Sequence, residues 1–549
     1  MMTDLTPRAG RREWIGLAVL ALPTLMVSLD LFVMLLAVPH VSAALGASST
    51  QQLWILDVYG FMVAGFLVTM GTLGDRIGRR RLLLLGAATF GIASVLAAFS
   101  VNTEMLIAAR VLLGIAGATL SPSTLSLITI LFRDPKQRAS AIGIWAGCFV
   151  VGAIVGPIVG GVLLEQFWWG SVFLLGVPAM LLLLAVGPRL LPEYHNPDAG
   201  RLDPASVALS LATILPVIWG LKELAGGGWQ PLPLVAIAAG VVVGVAFVRR
   251  QHALADPLLD LGLFASRSFS TTLGSLLAYS MLSGGTMVFV AQHFQLVQGL
   301  SPLRSGLAMV PGMAAAIVSF QLAPVLARRI RPAVLFPGGL VVTVAGLLLL
   351  TQAGATSASA VLVGGFVVMT LGGGPLVALG TNLVVGSAPP EKAGSAAGLV
   401  QTGNELGYAL GIAVLGSIGT AVYRTQLADQ LSSGIPAQAA AAARESLAGA
   451  TAAAQSLPEQ LAAALLASAR EAFTSGLHTV AVVAAILLSG VAVLIVTGLR
   501  HLPPIGQTQP DQPDQDQTPG QANGIPASTP TTVPDPDHKH EEVPTQLSA

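Results

Sequence analysis

The chain has 549 residues, 53% of them hydrophobic and only 10% charged, with 27 basic side chains balanced by 27 acidic ones. A soluble domain carries about 25% charge; here apolar stretches of about 20 residues recur instead, which excludes a chain that is soluble throughout. The single cysteine, Cys148, excludes an intrachain disulfide framework and reads as a packing thiol, and a net charge of zero names no partner.

Residues 1–13 form a basic N-terminal lead. The first apolar run, 14–38, is too long for a signal-peptide core, and Arg11-Arg12 before it reads as a basic anchor rather than a twin-arginine export signal. Further spans are expected at 52–73, 82–100, 104–131, 139–163 and 170–190, which completes a first set of six within 14–190. Two more, 205–224 and 232–248, form an insertion over 205–248. A second set of six occupies 269–499, at 269–296, 302–327, 333–352, 357–386, 394–423 and 475–499, for fourteen spans in all. Residues 428–474 are Ala-rich with few breakers and read as one or two short amphipathic helices outside the membrane, a structural cap or a gate over an exit path. The segment 503–549 is rich in Pro, Gln, Asp and Thr, cannot bury a core, and reads as a disordered cytoplasmic tail whose His538 and His540 are solvated rather than metal-bound.

Basic residues alternate with this count. Arg8, Arg11 and Arg12 precede span one; Arg76, Arg79, Arg80 and Arg81 follow span two; Arg133, Lys136 and Arg138 follow span four. Arg189 and Arg201, then Arg249, Arg250 and Arg267, then Arg328, Arg329 and Arg331, and finally Lys392 and Arg500 continue on the same side. The positive-inside rule therefore puts both termini in the cytoplasm. A miscount by one span would destroy the alternation.

Within the spans, ionisable groups carry the functional signal, because a charge at the bilayer centre costs at least about 2.5–3.5 kcal/mol and must face a cavity or a partner. Asp30, Asp57, Arg110 and Glu405 qualify. Asp30 lies about two-thirds of the way through its span, too deep to snorkel, and a carboxyl that binds either a proton or an organic cation is the simplest coupling device. Asp57 has Trp54 and Phe61 one turn to either side and sits nearer the external end. Arg110 would repel a cation, so pairing with an acid is its expected part; which acid is open. Phe149 and Tyr408 are candidate stacking partners for a flat cation, with aromatic packing the alternative, and Trp168-Trp169 read as an interfacial belt. Gly152, Gly156 and Gly160 recur every fourth residue on one helical face, with Pro157 beside them, which suits a close-packed seam or hinge.

Between spans two and three stands Gly71-Thr72-Leu73-Gly74-Asp75-Arg76-Ile77-Gly78-Arg79-Arg80-Arg81. A stop-transfer signal needs the arginines but not the glycines or Asp75. Asp75 can pair with Arg79 or Arg138 and accept amides at the start of span three. The stretch resembles the G-x-L-a-D-r-x-G-r-k loop of major facilitator transporters. Ala323–Arg331 is a degraded copy of it in the second half, as a duplicated transporter requires. Leu29-Asp30 with Ala37-Val38-Pro39, Arg110 with Gly114 and Gly117-Ala118, Gly152–Gly161, and Gly299-Leu300-Ser301-Pro302 with Pro311-Gly312 are similar to segments of the fourteen-span drug:proton antiporter branch. Gln401–Tyr408 resembles its span-thirteen segment. Phe32, Leu35 and Leu113 stand where the branch more often has Thr, Asn and Gln, which makes the pocket more apolar.

The resemblance implies an all-α membrane protein of the major facilitator fold, two six-helix halves plus two extra helices between them. It implies a proton-coupled multidrug efflux antiporter in a bacterial plasma membrane, monomeric, exporting quaternary ammonium compounds and dyes and associated with antibiotic resistance. Its binding residues would be Asp30, Glu405, Asp57, Phe149 and Tyr408; its conformational residues Asp75, Arg79, Arg110, Arg138, Gly152, Gly156 and Pro157. No nucleic-acid partner, metal or cofactor is expected, the proton gradient supplying the energy. No G-x-x-x-x-G-K-[ST] loop occurs, so ATP hydrolysis within the chain is not expected. Export of a neutral antibiotic or metabolite is the alternative within the class. A polytopic lipid-modifying enzyme would need catalytic groups clustered at one membrane face, and a membrane sensor would not need acids in spans one and thirteen.

Overall fold

The computed structural model describes residues 9–194, 203–227, 230–254, 261–354, 359–387, 393–430 and 435–500. The tail over 503–549 lies outside the described residues, as do a few side chains within helices, Asp75 among them. The described residues are all helical or connecting: α1 Arg11–Leu45, α2 Ser49–Ile77, α3 Arg79–Ala98, α4 Thr103–Leu131, α5 Pro135–Gln166, α6 Ser171–Leu174, α7 Gly176–Leu190, α8 Pro204–Gly227, α9 Pro231–Ala253, α10 Arg267–Gln292, α11 Pro302–Ala327, α12 Pro332–Leu350, α13 Ser359–Gly386, α14 Ala393–Gln430, α15 Ala437–Glu445, α16 Leu447–Ala454 and α17 Glu459–Leu499. Twelve stretches, with α6 and α7 counted as one, are long and apolar enough to cross a membrane among the described residues. The helix α2, of 29 residues, and α8, of 24, run beside them.

Helix starts follow local chemistry. Asn102 accepts the Met105 amide at 2.8 Å, Asp134 accepts that of Gln137 at 2.8 Å ahead of Pro135, and Ser301 caps α11 ahead of Pro302. A capping side chain followed by proline satisfies orphan amides and presets φ. The Gly299–Pro302 segment is thus a left-handed glycine (φ 66°), a cap and a helix start in four residues.

The helices pack twice in one pattern. In the first set α1 packs on α4, α5 and α7, α2 on α4, and α3 on α4 and α7. In the second α10 packs on α13, α14 and α17, α11 on α13, and α12 on α13 and α17. Replacing α1–α5 and α7 by α10–α14 and α17 converts one list into the other. The two sets meet through α2 against α14 and α5 against α11, again counterparts. The weak echo between Gly71–Arg81 and Ala323–Arg331 therefore marks a repeat carried by packing.

The helix α8 lies against α2 and α14, and α9 packs chiefly on α8. Their ends are clasped by Arg250, whose Nε and Nη2 each donate to the Asp203 carboxylate at 3.0 Å, with Ser206 donating as well. The Arg250 hydrogen bond and then that of Ser206 hold the Asp203 carboxyl down at about 2, so the clasp stays charged at neutral pH.

Two expectations are corrected. The last span was expected to begin at 475, but α17 already starts at Glu459, because the Ala/Leu-rich stretch ahead of it contains no breaker. The end of α14, then α15, α16 and the first turns of α17, make up the 428–474 region that is described. The turn between α2 and α3 is also shorter than the Gly71–Arg81 stretch suggested: Gly71 and Gly74 are helical, and Gly78 alone makes the turn at φ 108°, ψ 131°. Glu193, beyond α7, accepts the Arg80 amide at 3.2 Å and pairs with Arg80 (3.4 Å) and Arg81 (3.8 Å), while Tyr194 accepts the Arg79 amide. Glu193 thus accepts an amide at the start of α3; the Asp75 side chain, for which the same part is expected, lies outside the described residues.

Most arginines lie at the end where α1 starts, hereafter the basic end; the other is the far end. At the basic end, Gly78→Ala is expected to lower the melting temperature in detergent, since a side chain at that φ costs about 1–3 kcal/mol and its Cβ would collide with the Glu193 carboxylate. Gly71→Ala, where a Cβ meets nothing within 4 Å, should leave it unchanged or higher. Equal melting of the two variants would contradict this account of the turn.

Candidate functional site

Arg110 is wholly buried in the first third of α4 and organises the first set of helices. Its Nη1 donates to Asp30 Oδ2 on α1 at 2.5 Å, and its Nε donates to the Ile55 carbonyl on α2 at 3.0 Å. Its Cζ sits 4.8 Å from the Tyr59 ring centroid. Ion pair, carbonyl and ring face together neutralise the guanidinium and satisfy two of its nitrogens, while Nη2 is buried with no hydrogen-bond partner among the described residues. The spacing of glycines after Arg110 has a direct cause. A Cβ at Gly114 would lie 2.6 Å from the Tyr59 carbonyl oxygen, and one at Gly117 2.9 Å from the Tyr59 hydroxyl. These glycines let α4 come close enough to α2 for Arg110 to reach across.

Asp30 keeps 12% of its side chain exposed. The cavity it lines, with Met26, Phe90 and Phe173, measures about 10 Å³, room for about one water molecule. A drug-sized ligand needs about 300 Å³ or more, so this cavity between α1, α3 and α6 is not where one binds.

Glu405 lies on α14 at the seam between the two sets of helices, 8% exposed, and accepts a hydrogen bond from Gln401 Nε2 at 3.0 Å. Gly60 of α2 packs under it: a Cβ there would stand 3.7 Å from the Glu405 carbonyl and 3.1 Å from Ala409. Asp57, 1% exposed, is three residues from Gly60 and so shares the α2 face turned to α14. Asp30, Arg110 and Glu405 all lie within electrostatic range of Tyr59, which places that ring between the α1–α4 pair and the α2–α14 seam. Tyr59 escaped the sequence reading; a tyrosine in mid-span, two residues from an acid, was the available signal.

The stacking candidates part company. Tyr408 lays its ring on Gly284 of α10, whose Cβ would come within 2.6 Å of it, while its hydroxyl is buried and unpartnered among the described residues. The Phe149 carbonyl accepts from Ser28 Oγ at 2.7 Å, two residues before Asp30, and Trp145 is tied to Thr124. Gly152, Gly156 and Gly160 form a seam on α1: a Cβ would meet Ser28 at 2.5 Å, Phe32 at 2.9 Å and Val33 at 2.8 Å, respectively. Gly161 and Pro157 turn instead to Leu303 and Gly306 of α11. The glycine-rich stretch of α5 thus joins the two sets of helices.

Contacts between the sets concentrate at the far end. Leu303 N donates to Glu165 at 3.3 Å, and Arg424 of α14 donates to Ser49 of α2 at 2.7 Å and to Glu445 of α15 at 2.8 Å. Tyr423 ties α14 to the Ala443 carbonyl at 2.7 Å. At the basic end, a Cβ on Gly143 or Gly147 of α5 would meet nothing within 4 Å, and Arg138 is exposed. Arg79 folds back on α2, its Nη1 3.2 Å from where a Gly74 Cβ would be.

The sequence matches the family model described as Major Facilitator Superfamily over residues 20–412. The multidrug efflux pump LfrA of Mycolicibacterium smegmatis is 44% identical over 500 residues, 91% of this chain and 99% of LfrA. The methyl viologen resistance protein SmvA of Salmonella typhimurium is 33% identical, covering 84% and 93% of the two chains. The tetracenomycin C resistance and export protein of Streptomyces glaucescens is 31% identical, covering 95% and 97%. Among solved structures, an inward-facing, unoccupied bacterial homologue of the human lysosomal transporter spinster superposes with a TM-score of 0.63 at 18% identity, covering 89% of this chain and 99% of that one. The chain belongs to the Major Facilitator Superfamily and is a multi-pass membrane transporter rather than an enzyme.

Removing one partner of a buried ion pair strands the other, at about 3–5 kcal/mol. Asp30→Asn and Arg110→Gln should each lower the apparent melting temperature in detergent, and the double variant should melt above the lower of the two. A double variant whose losses simply add would show that the two side chains do not act as a pair.

Proposed function

We propose that this transporter exports lipophilic organic cations, quaternary ammonium compounds and dyes among them, in exchange for protons. It does so by alternating access, in a fourteen-span arrangement with the basic end in the cytoplasm of a bacterial cell. The observation that carries the reading is the Arg110–Asp30 pair, with Arg110 fully buried and Asp30 12% exposed, whose covering ring Tyr59 also lies within electrostatic range of Glu405 on the seam between the halves. The relatives named for multidrug efflux and for resistance to methyl viologen, a cation, support the substrate class. The helices α2 and α8, added to the twelve spans, give fourteen, and α8 with α9 forms the inserted pair.

The coupling follows from counting charges. A buried guanidinium needs a carboxylate. When a proton neutralises Asp30, Arg110 loses its counter-charge and is drawn toward the remaining acids, Glu405 and Asp57. A cation held by those acids is then displaced. When Asp30 gives up its proton, Arg110 returns to it and the acids take up the next cation. Proton and cation thereby compete for one set of negative charges without both binding at once. The far-end closure by Arg424, Ser49 and Glu445, with the open flank of α5 at the basic end, corresponds to the inward-facing state. Export requires the far-end contacts to break and the Glu193-clamped end to close, each modest in energy because both states must be visited. The α15–α16 region, tied to α14 through Glu445 and Ala443, then moves with the exit path as its gate.

One observation favours a second reading. Arg110 already balances Asp30, and Glu405 takes its hydrogen bond from the neutral Gln401, so a neutral drug would also be tolerated; one relative is named for exporting tetracenomycin C.

Purified protein in vesicles with an imposed pH gradient should move ethidium in proportion to the gradient. Asp30→Asn, which mimics the protonated state permanently, should abolish that movement and weaken ethidium binding as well. Glu405→Gln should raise the half-saturating ethidium concentration about tenfold, the loss of one desolvated charge contact. Ethidium transport without a gradient dependence, or unchanged by Asp30→Asn, overturns proton coupling. Competition by a neutral drug and none by tetraphenylphosphonium would decide for the second reading.

A further inference from the structure

We propose that the cavity between the basic ends of α1, α3 and α7 binds the phosphodiester head group of an anionic phospholipid. The cavity, about 400 Å³, is lined by Arg12, Glu13, Arg80 and Arg189, with Leu131 and Leu190 among its apolar walls. Its arginines come from the ends of three different spans and are held from behind by backbone. Arg12 Nη2 donates to the Arg189 carbonyl at 2.7 Å, and Arg80 Nη1 donates to the carbonyls of Pro188 (3.1 Å) and Leu191 (3.0 Å). Arg189 Nη1 donates to the Ala185 carbonyl at 3.3 Å. Each guanidinium has five N–H donors, so each retains others for a ligand, and a tethered guanidinium loses little freedom on binding phosphate.

The charges favour an anion. Three arginines line the cavity against one acid, Glu13, which accepts the Gly10 amide at 2.7 Å, while Glu193 outside it divides its charge between Arg80 and Arg81. The surplus is positive, as an anionic phospholipid head group such as phosphatidylglycerol requires. The position selects a lipid over a free anion. Trp14 stacks edge-on against Phe132 at 5.0 Å and remains 36% exposed, beside Ile15 at 45%. An exposed tryptophan at a span end marks the membrane–water interface, and these side chains offer acyl chains an apolar track directly beside the basic pocket. Basic pockets between spans at this level suit anionic head groups. A head group there shares Arg80 with Glu193, so it bears on the clamp around the α2–α3 turn.

The test uses the full chain in nanodiscs and needs no transport assay, so its outcome is separate from that of the proposed efflux. Native mass spectrometry should show phosphatidylglycerol retained over phosphatidylcholine. In Arg12→Gln/Arg189→Gln its apparent affinity should fall about thirty-fold, the loss of two arginines at about tenfold or less each. Arg328→Gln/Arg329→Gln, which removes the same charge from exposed positions at the same end, should retain it as wild type does. Equal retention of the two lipids by wild type overturns the site, as does an equal loss in both double variants. Protection of the phosphatidylcholine sample by millimolar inorganic phosphate, to the extent phosphatidylglycerol gives, assigns the pocket to a free anion and overturns the lipid. Should Arg12→Gln/Arg189→Gln fail to fold, the wild-type lipid comparison still decides.

Discussion

A guanidinium without water is the constraint around which the first set of helices is arranged. Arg110 is fully buried in the first third of a span, where an unpaired charge is costly. Everything near it answers to that cost. Asp30 supplies the counter-charge from α1, the Ile55 carbonyl takes a second donor, and the Tyr59 ring covers one face. Gly114 and Gly117 are small because Tyr59 and Met62 occupy the space where side chains would be. One charge therefore sets the approach of α1, α2 and α4.

The same physics assigns different work to the two seams between the sets of helices. In lipid, apolar side chains gain little by leaving one hydrocarbon neighbour for another, so association depends on close backbone approach and on polar contacts. The α5 seam uses approach: its glycines sit against α1, and the next surface, Gly161 with Pro157, sits against α11. The α2–α14 seam combines approach at Gly60 with the buried acids Asp57 and Glu405 and ends in the Arg424 contacts to Ser49 and Glu445. These polar contacts lie where the sets meet at the far end; among the described residues none joins the basic end of α5 to the second set.

Much of the architecture was legible in the chain because hydropathy and basic-residue alternation are local signals. Most helix ends fall within a few residues of the expected spans, and capping residues such as Asn102, Asp134 and Ser301 stand where helices begin. The exceptions have local causes as well. The start of α17 was missed because nothing in the Ala-rich segment separates a membrane helix from its extension. The Gly71–Arg81 stretch was legible as a turn, but glycines 71 and 74 fit a helix as readily as a loop, and only the backbone distinguishes Gly78. Glu193 was invisible as a partner of Arg80 because 113 residues separate them.

The sequence by itself determined which segments enter the membrane, which end is basic, and which few ionisable groups cannot be facing lipid, since each follows from transfer free energies summed along the chain. Only the tertiary structure decided who meets whom. Arg110 takes Asp30, 80 residues away, leaving Glu405 to the α2–α14 seam with Gln401 as its donor, and Tyr408 turns to Gly284 rather than to the acids' side of α2. Those choices depend on how closely helices approach, to within the width of one methyl group at glycines that face a neighbour. No one-dimensional pattern carries that information, because the neighbour is fixed only when the helices pack.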